Sequence, residues 1–478
     1  MRYVVFLIVL LMVIMPVAAQ DGTGYEAAML PDYAADLDAF PHAPRYSMTI
    51  NLDLGADQAT FSGFQSVTYT NESSDTLNEI VFRLYPNYES YGGVLTVNRV
   101  QIAGSPITPT YDATNSVMHV ALAEPLAPNA SITIDLAYTT IVVNDRVRLY
   151  GQFSYSNGVL ATPNFFPQLS VYETGAGWWE YAVQPQGDAV YSETSFFDVQ
   201  VTTASDVIVI TSGSRVADTL NADGSRTVRY LAPLMRDFSL MASSAFETIS
   251  DTQDGIQIDV HYLPSGTRGA DAVLAYAKVA VQTFNELFGP YPFAELDIVE
   301  TYTNAGGIEY PGLIVVQDDA WNSLDTFLEV VVAHEVAHQW WYSLVGNDQT
   351  AYPWMDEALA QYATALYYGK AYGPTADDAV FDSYQGNWQR YLNDFSDLPI
   401  GGPVTDYPDN AYYYIVYQKG PLFFKTLADT YGEAALLSAL NDYFMAYRYE
   451  VATPADMQAS FEASLGADLD VLFTEWVG

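Results

Sequence analysis

Two hydrophobic periods divide the chain. From Tyr46 to about Phe246 apolar and polar residues alternate, as in Tyr46-Ser47-Met48-Thr49-Ile50-Asn51-Leu52. That is the period of a strand with one buried face. Phe64–Thr70, Glu79–Tyr85, Ser131–Tyr138, Phe196–Thr202 and Val207–Ile210 read the same way, with turn residues at Asn71–Asp75, Pro128-Asn129 and Gly213 between them. They predict an antiparallel β domain over 46–247. From 248 the pattern mixes. Gly255–Leu263 and Glu295–Thr303 are strand-like, and Arg268–Phe288 has a helical period that stops at Gly289-Pro290. From Ala376 onward helices dominate, including Gly432–Tyr447 and Pro454–Leu465. The expected fold class is multidomain α+β: an N-terminal antiparallel β domain, then an α+β domain over 248–478 that ends in helices.

Within the second half, Leu328 to Tyr368 concentrates the chemistry. Asp325 to Ala333 is apolar and helix-compatible, and it leads into His334-Glu335-Val336-Ala337-His338. Helical residues four apart share a face, so His334 and His338 present two imidazoles to one point. Glu335 lies about 100° round the helix, where it reaches a water held by a metal more easily than the metal itself. A third ligand is needed, and Glu357 follows in Trp354-Met355-Asp356-Glu357. Pro353 suits the first turn of a second helix, which runs from Trp354 to Tyr368 and meets Gly369. A loop over about Gly346–Tyr352 would fold this helix back on the first. Two histidines and one glutamate leave a coordination position open, the arrangement of a catalytic zinc rather than a structural one. The bland alternative, a buried helix with hydrogen-bonded histidines, is weakened because the whole chain holds only 5 histidines.

Composition narrows the function classes. At 478 residues two domains are the default expectation, and 50% hydrophobic residues can fill sizeable cores. The formal net charge of −41 repels nucleic acid and anionic membranes and favours cationic partners, although solubility alone also explains an acidic surface. There are 0 cysteines, which excludes disulfides, cysteine zinc sites and thiol catalysis. At the N-terminus, Arg2, the apolar run Val4–Met15 and Val17-Ala18-Ala19 read as a secretory signal peptide over 1–19. An uncleaved anchor is the competing reading. No later run approaches spanning length, so no stable membrane insertion is expected of the mature chain. Residues 20–45 are small and acidic, interrupted by Gly22, Gly24, Pro31, Pro41 and Pro44, and are expected to be a linker.

Two further stretches carry candidate chemistry. Gly306-Gly307-Ile308-Glu309-Tyr310 follows a predicted strand; its glycines let a substrate backbone approach, with Glu309 beside it. An ordinary glycine turn is the simpler reading. Tyr412-Tyr413-Tyr414-Ile415-Val416-Tyr417-Gln418-Lys419-Gly420 precedes an apolar helix and supplies phenols able to donate to an oxyanion. Among 38 tyrosines no single one stands out, and core packing is the simpler role for each. Trp178 and Trp179, after Gly175-Ala176-Gly177, read as packing aromatics.

The ordered set Gly-Gly-Ile-Glu, His-Glu-Val-Ala-His, Trp-Met-Asp-Glu and Tyr-Gln-Lys-Gly resembles the aminopeptidase-N family of gluzincin zinc peptidases. The N-terminal strands resemble that family's saddle-shaped β domain. The resemblance implies a thermolysin-like catalytic domain binding one Zn2+ per chain through His334, His338 and Glu357. It implies Glu335 as general base and acid, and Tyr417 as the donor to the tetrahedral oxyanion. Glu309 would bind the substrate α-amino group, with Gly306 and Gly307 along the peptide backbone. The sequence departs from the family where Tyr310 replaces the usual asparagine after Glu309, and where Gln339-Trp340-Trp341-Tyr342 follows His338. Gln168 and Glu173 are possible counterparts of a second amine-binding residue from the β domain. The chain ends at Gly478, which leads to the expectation of a more open cleft than in relatives with a further C-terminal helical domain.

The function implied is that of a secreted zinc aminopeptidase acting on peptides with free N-termini, with no nucleic-acid partner. A thermolysin-type endopeptidase, a bifunctional enzyme resembling leukotriene epoxide hydrolases and a non-catalytic secreted binding module are the alternatives.

Overall fold

The structure is a computed structural model that describes residues 24–145, 150–184, 186–188, 190–323, 326–408 and 410–478. The expected signal peptide lies outside the described residues.

The alternating segments form an eight-stranded sheet built on Arg45–Leu54 at its centre. Gln58–Thr70 pairs with it in antiparallel register, Ser47 facing Ser66, and Ser131–Val143 extends the sheet on that side. Its other neighbour, Ser195–Ala204, runs parallel, which the antiparallel expectation did not include. The parallel pair is possible because some 140 residues of intervening chain return over the top, far more than a hairpin. The alternation decides which side chains face inward: Met48, Ile50, Leu52, Phe61 and Val67 are buried while their neighbours are not. Two four-stranded sheets cover this inner face, one containing Val159–Pro163 and Ser239–Ser243, the other Leu77–Arg83 and Val117–Leu126.

A separate five-stranded sheet begins at Glu247–Gln253 and continues through Ile256–Tyr262, Glu295–Thr301 and Leu313–Gln317 to the short edge strand Gly307–Ile308. Its three central strands are parallel, and both outer ones are antiparallel. Helices follow in chain order: α1 (Thr267–Leu287), α2 (Asp318–Ser323), α3 (Thr326–Ala337), α4 (Trp354–Tyr372) and α5 (Ala376–Leu392). After a π-helical segment, Tyr413–Lys419, come α6 (Gly420–Tyr431), α7 (Glu433–Tyr447), α8 (Pro454–Leu465) and α9 (Asp470–Trp476). The helix α8 opens with a capping box, in which Thr453 and Asp456 satisfy each other's backbone N–H groups. The helix α4 outruns its expected end. Gly369 sits inside it because a Cβ there would come within 3.3 Å of Asp377 on α5, and the helix stops where Gly373 takes φ +101°.

Residues 24–45, expected to be a linker, are packed. Short 3-10 turns occupy Tyr25–Ala28 and Pro31–Ala39, and Met29 pairs with Phe293 as an isolated bridge. Asp36 accepts from Arg448 at 2.9 Å and from Tyr449 at 3.0 Å, tying the segment to the C-terminal helices. The prolines favour 3-10 turns here, and the buried Ala28 and Met29 give the segment an apolar anchor. Buried Arg236 also joins the halves, donating to the carbonyls of Ser192, Tyr342 and Glu450. Gly346 is glycine because a Cβ would sit 2.1 Å from that guanidinium carbon. Trp179 packs against Tyr191 and donates its indole N–H to Asp348 at 3.1 Å, on the loop before α4.

Candidate active site

The helix α3 is exposed at Thr326 and Phe327 but almost wholly buried from Leu328 on, so His334 and Glu335 are placed by the core rather than by solvent. His338 lies one residue past its end, still carried by the helical bond from His338 N–H to the His334 carbonyl. The two imidazoles meet with Nε2 atoms 3.1 Å apart. From the start of α4, Glu357 brings Oε2 to 3.2 Å from His334 Nε2 and 3.3 Å from His338 Nε2. His338 Nδ1 donates to the Trp341 carbonyl at 3.0 Å, which fixes the tautomer with Nε2 free to bind. Burial opposes ionisation of Glu357, but the two imidazoles outweigh it and hold the carboxyl well below the usual carboxylate range. Burial also opposes charging of His338, yet Glu357, Glu309 and Glu335 together raise it well above the usual histidine value. Burial lowers His334.

These atoms ask for a cation. Glu357 Oε2 is buried without a hydrogen bond. Tetrahedral zinc with ligands at about 2.0–2.1 Å separates its donors by about 3.3 Å, the spacing seen here. The three residues therefore fit one zinc ion. The open side of this cage faces a cavity of about 310 Å³ lined by Glu335, Glu309, Gly307, Tyr417 and Asp188.

Glu335, Gly307, Glu309 and Tyr417 line this cavity, in some cases for a reason other than the expected one, and Gly306 lies beside it. Glu335 points into the cavity; burial raises its carboxyl well above the usual range while His338 opposes that shift. Gly307 is on the edge strand, and a Cβ there would lie 2.5 Å from Glu335 Cγ. Its bare backbone thus makes room for Glu335 as well as leaving an edge for an extended peptide. Gly306 takes φ +91°, which its lack of a side chain permits, and lies against Phe327. Glu309 is buried and accepts from Gln349 at 2.7 Å. The same amide reaches Asp356 at 2.8 Å, and Asn347 holds the other Asp356 oxygen at 2.9 Å. Asp356, part of the Trp-Met-Asp-Glu motif, thereby shapes the loop that supports Glu309.

Tyr412, Tyr413 and Tyr417 all line the cavity, and Tyr417 is distinguished by donating its hydroxyl to Glu357 Oε1. The π-helical segment sets it there. Gly420 lets the segment lie against α4, since a Cβ would meet Ala358 Cβ at 2.5 Å. Gln418 accepts from Asn387 at 2.7 Å, and Lys419 bonds Asp397 and the Leu398 carbonyl. The unusual run after His338 is structural: Gln339 accepts from Gly312 N–H, and Trp340 donates to the Gly289 carbonyl.

Gln168 and Glu173 do not reach the cavity. Gln168 is buried at the Arg83 pairing and accepts from Asn164, while Glu173 is exposed and accepts from Tyr191. The β domain contributes Asp188 instead, half-buried, with Gln152 donating to it at 3.2 Å. Burial raises the Asp188 carboxyl well above the usual range, and Glu309 and Glu357 raise it further. No sequence signal pointed to Asp188, which lies in irregular chain with no period and no motif.

Two buried imidazoles and a carboxylate on adjoining helices, beside an edge strand and with one side open, define a thermolysin-like metallopeptidase centre. Residues 274–476 match the family model for the peptidase family M1 domain. The chain is 23% identical over 305 residues to aminopeptidase M1 of Arabidopsis thaliana, covering 59% of this chain and 33% of that protein. It is 21% identical over 470 residues to a puromycin-sensitive aminopeptidase of Caenorhabditis elegans, covering 92% of this chain and 47% of that one. The chain thus spans less than half the length of these two relatives. The crystal structure of an M1 zinc metallopeptidase from Deinococcus radiodurans superposes with a TM-score of 0.68 at 18% identity, over 91% of this chain and 94% of that chain. Residues 274–476 thus carry the signature of the M1 peptidase domain, and the site and these relatives are those of the aminopeptidase-N type of zinc metallopeptidase, which uses one catalytic zinc ion.

Proposed function

We propose that this chain is an exported zinc aminopeptidase that removes residues from the free N-termini of peptides. The observation that carries the reading is the His334–His338–Glu357 cage, its donor atoms 3.1–3.3 Å apart, opening on a cavity that also holds Glu335, Glu309 and Asp188. Zinc in that cage supplies Lewis acidity, lowering the pKa of a water and polarising a carbonyl. Glu335 accepts the proton of the attacking water and delivers it to the leaving amine nitrogen. Glu335 lines the same cavity as His334 and His338, so one carboxylate is within reach of both transfers. The Tyr417 hydroxyl, neutral at pH 7, donates to the oxygen that gains negative charge. Glu309 and Asp188 place two carboxylates at one end of the cavity, a seat for the substrate's α-ammonium, and so set where cleavage falls. The bare edge at Gly307 receives the extended backbone.

The aminopeptidase names of the plant and nematode relatives support the exopeptidase reading over an endopeptidase. Export rests on Arg2, Val4–Met15 and Val17-Ala18-Ala19. Among the described residues no helix is long and apolar enough to cross a membrane. Sequencing the N-terminus of protein recovered from outside the producing cell tests export directly: a start at Gln20 supports it, and an intact Met1 contradicts it.

Matched peptides with free and acetylated N-termini test the activity, each with and without a zinc chelator. Chelator-sensitive release of the first residue from free peptides only is expected. Equal cleavage of blocked peptides at internal bonds would make the protein an endopeptidase, and no cleavage of either would leave a binding module.

A further inference from the structure

A second convergence of metal-binding side chains lies away from the catalytic cavity, where the five-stranded sheet faces the β domain. Strand alternation creates it. Along Ile256–Tyr262 the residues Ile256, Ile258 and Val260 are buried on one face, which leaves Gln257, Asp259 and His261 on the other. The neighbouring parallel strand is in register, Asp259 beside Asp297 and Gln257 beside Glu295. The carboxylates of Asp259, Asp297 and Glu295 and the imidazole of His261 therefore share one face. They line a cavity of about 500 Å³ whose far wall is the β domain, including Val207–Thr211, Val228 and Tyr230.

One ligand atom from each of Asp259, His261 and Asp297 lies within 4.8 Å of the other two. His261 Nε2 is 2.8 Å from Asp297 Oδ1, and its Nδ1 is 2.9 Å from Thr248 Oγ1. Without an ion, Nε2–H donates to Asp297 Oδ1; the tautomer that donates Nδ1–H to Thr248 instead frees Nε2 to bind a metal, the usual orientation of a metal-bound histidine. Gln257 donates to both Asp259 oxygens, at 3.0 and 2.9 Å, and holds that carboxylate in place. Asp297 is 4% exposed, and its Oδ2 accepts no hydrogen bond among the described residues. Of the cations lining the cavity, Arg226 is bonded to Asp218, and Arg215, exposed and reaching the same carboxylate, acts on Asp297 and His261 only through longer-range charge. Asp297 Oδ2 opens on the cavity, where the carboxylates of Asp259 and Glu295 stand beside it, so three carboxylates and an imidazole face one space able to hold a cation.

We propose that His261, Asp297 and Asp259 form a second metal site, separate from the catalytic one, that takes a divalent transition cation of the zinc or manganese class. One nitrogen and two carboxylates suit such an ion better than calcium, which takes oxygen ligands throughout. The ion would enter between His261 Nε2 and Asp297 Oδ1, whose separation opens by about half an ångström to reach tetrahedral spacing.

Zinc content after equilibration with micromolar Zn2+ and removal of free ion tests the site. The wild-type chain should hold about two ions and His261→Gln about one, with His261→Gln retaining peptide hydrolysis. Asp297→Asn should match it. Glu357→Gln, with the catalytic cage disabled and the second site untouched, should still bind about one Zn2+. A Glu357→Gln protein that binds none, or a wild-type content that persists in both His261→Gln and Asp297→Asn, overturns the proposal. Because Glu357→Gln reads the second site alone, failure here is separable from failure of the catalytic reading.

Discussion

At the scale of single residues, the division of labour between Glu335 and Glu357 is a matter of angle and neighbours. Glu357 is held ionised by two imidazoles, whereas Glu335 is adjacent to His334 in sequence but faces the cavity. Replacing Glu335 by Gln keeps the side chain's size and removes only its proton affinity. Glu335→Gln should bind zinc like the wild type and lose hydrolysis, which paired metal analysis and turnover measurements check; normal turnover would remove the general-base role. Tyr417→Phe should retain zinc and lower kcat about a hundred- to a thousandfold, the usual cost of losing one oxyanion donor. Full activity would shift the role to Tyr412 or Tyr413, which line the same cavity. Asp188→Asn should raise KM for free peptides much more than for acetylated ones, since only the former carry the ammonium. An equal rise for both would make Asp188 a structural residue.

At the scale of elements, what was legible depended on whether a residue's position follows from a local period. His334, His338 and Glu357 follow from helix geometry and one turn, and the structure brings them together. The residue pattern alone did not separate Tyr417 from Tyr412 and Tyr413, and only the resemblance pointed to it; the physical reason lies in the π-helical segment and the close pass of Gly420 over Ala358. A wider turn is a register change that hydrophobic periodicity does not carry. Asp188 was invisible because it reaches the cavity only through the packing of one half on the other. The linker expectation failed for a related reason: the small, acidic, proline-interrupted run over 24–45 hid the anchoring of Asp36 by Arg448. Gly420→Ala tests the close pass. The added methyl should displace the π-helical segment from α4 and destabilise the fold by about 1–3 kcal/mol. Activity should fall further than stability alone explains, as read by turnover per correctly folded, zinc-loaded molecule. An unchanged kcat would show that the segment's position does not set Tyr417.

At the scale of the whole molecule, the acidic balance shapes stability. The chain carries −41 formal charges, and several carboxyls are buried where the cost of burial exceeds the help of any neighbouring cation. Burial pushes Asp237 up to about 7 from 3.8, and Glu300 up to about 7 from 4.5. A carboxyl whose folded value is raised binds its proton more tightly in the folded state. Its stabilising contribution is full below the unfolded value near 4 and is lost as pH rises through about 7. Self-repulsion of the negative surface acts in the same direction. Metal-stripped protein should therefore melt at a higher temperature at pH 5.5 than at pH 8. A Tm that rises steadily across that interval would contradict the assignment of these buried groups.

Everything the molecule does as an enzyme depends on side chains at two helices enclosing a metal with one corner left for solvent. Anomalous diffraction at the zinc edge, on crystals of protein purified without added metal, reads it directly. A peak about 2.0–2.1 Å from His334 Nε2, His338 Nε2 and a Glu357 oxygen is the predicted result. A map with no peak at that point, in protein that releases N-terminal residues at full rate, would contradict the account.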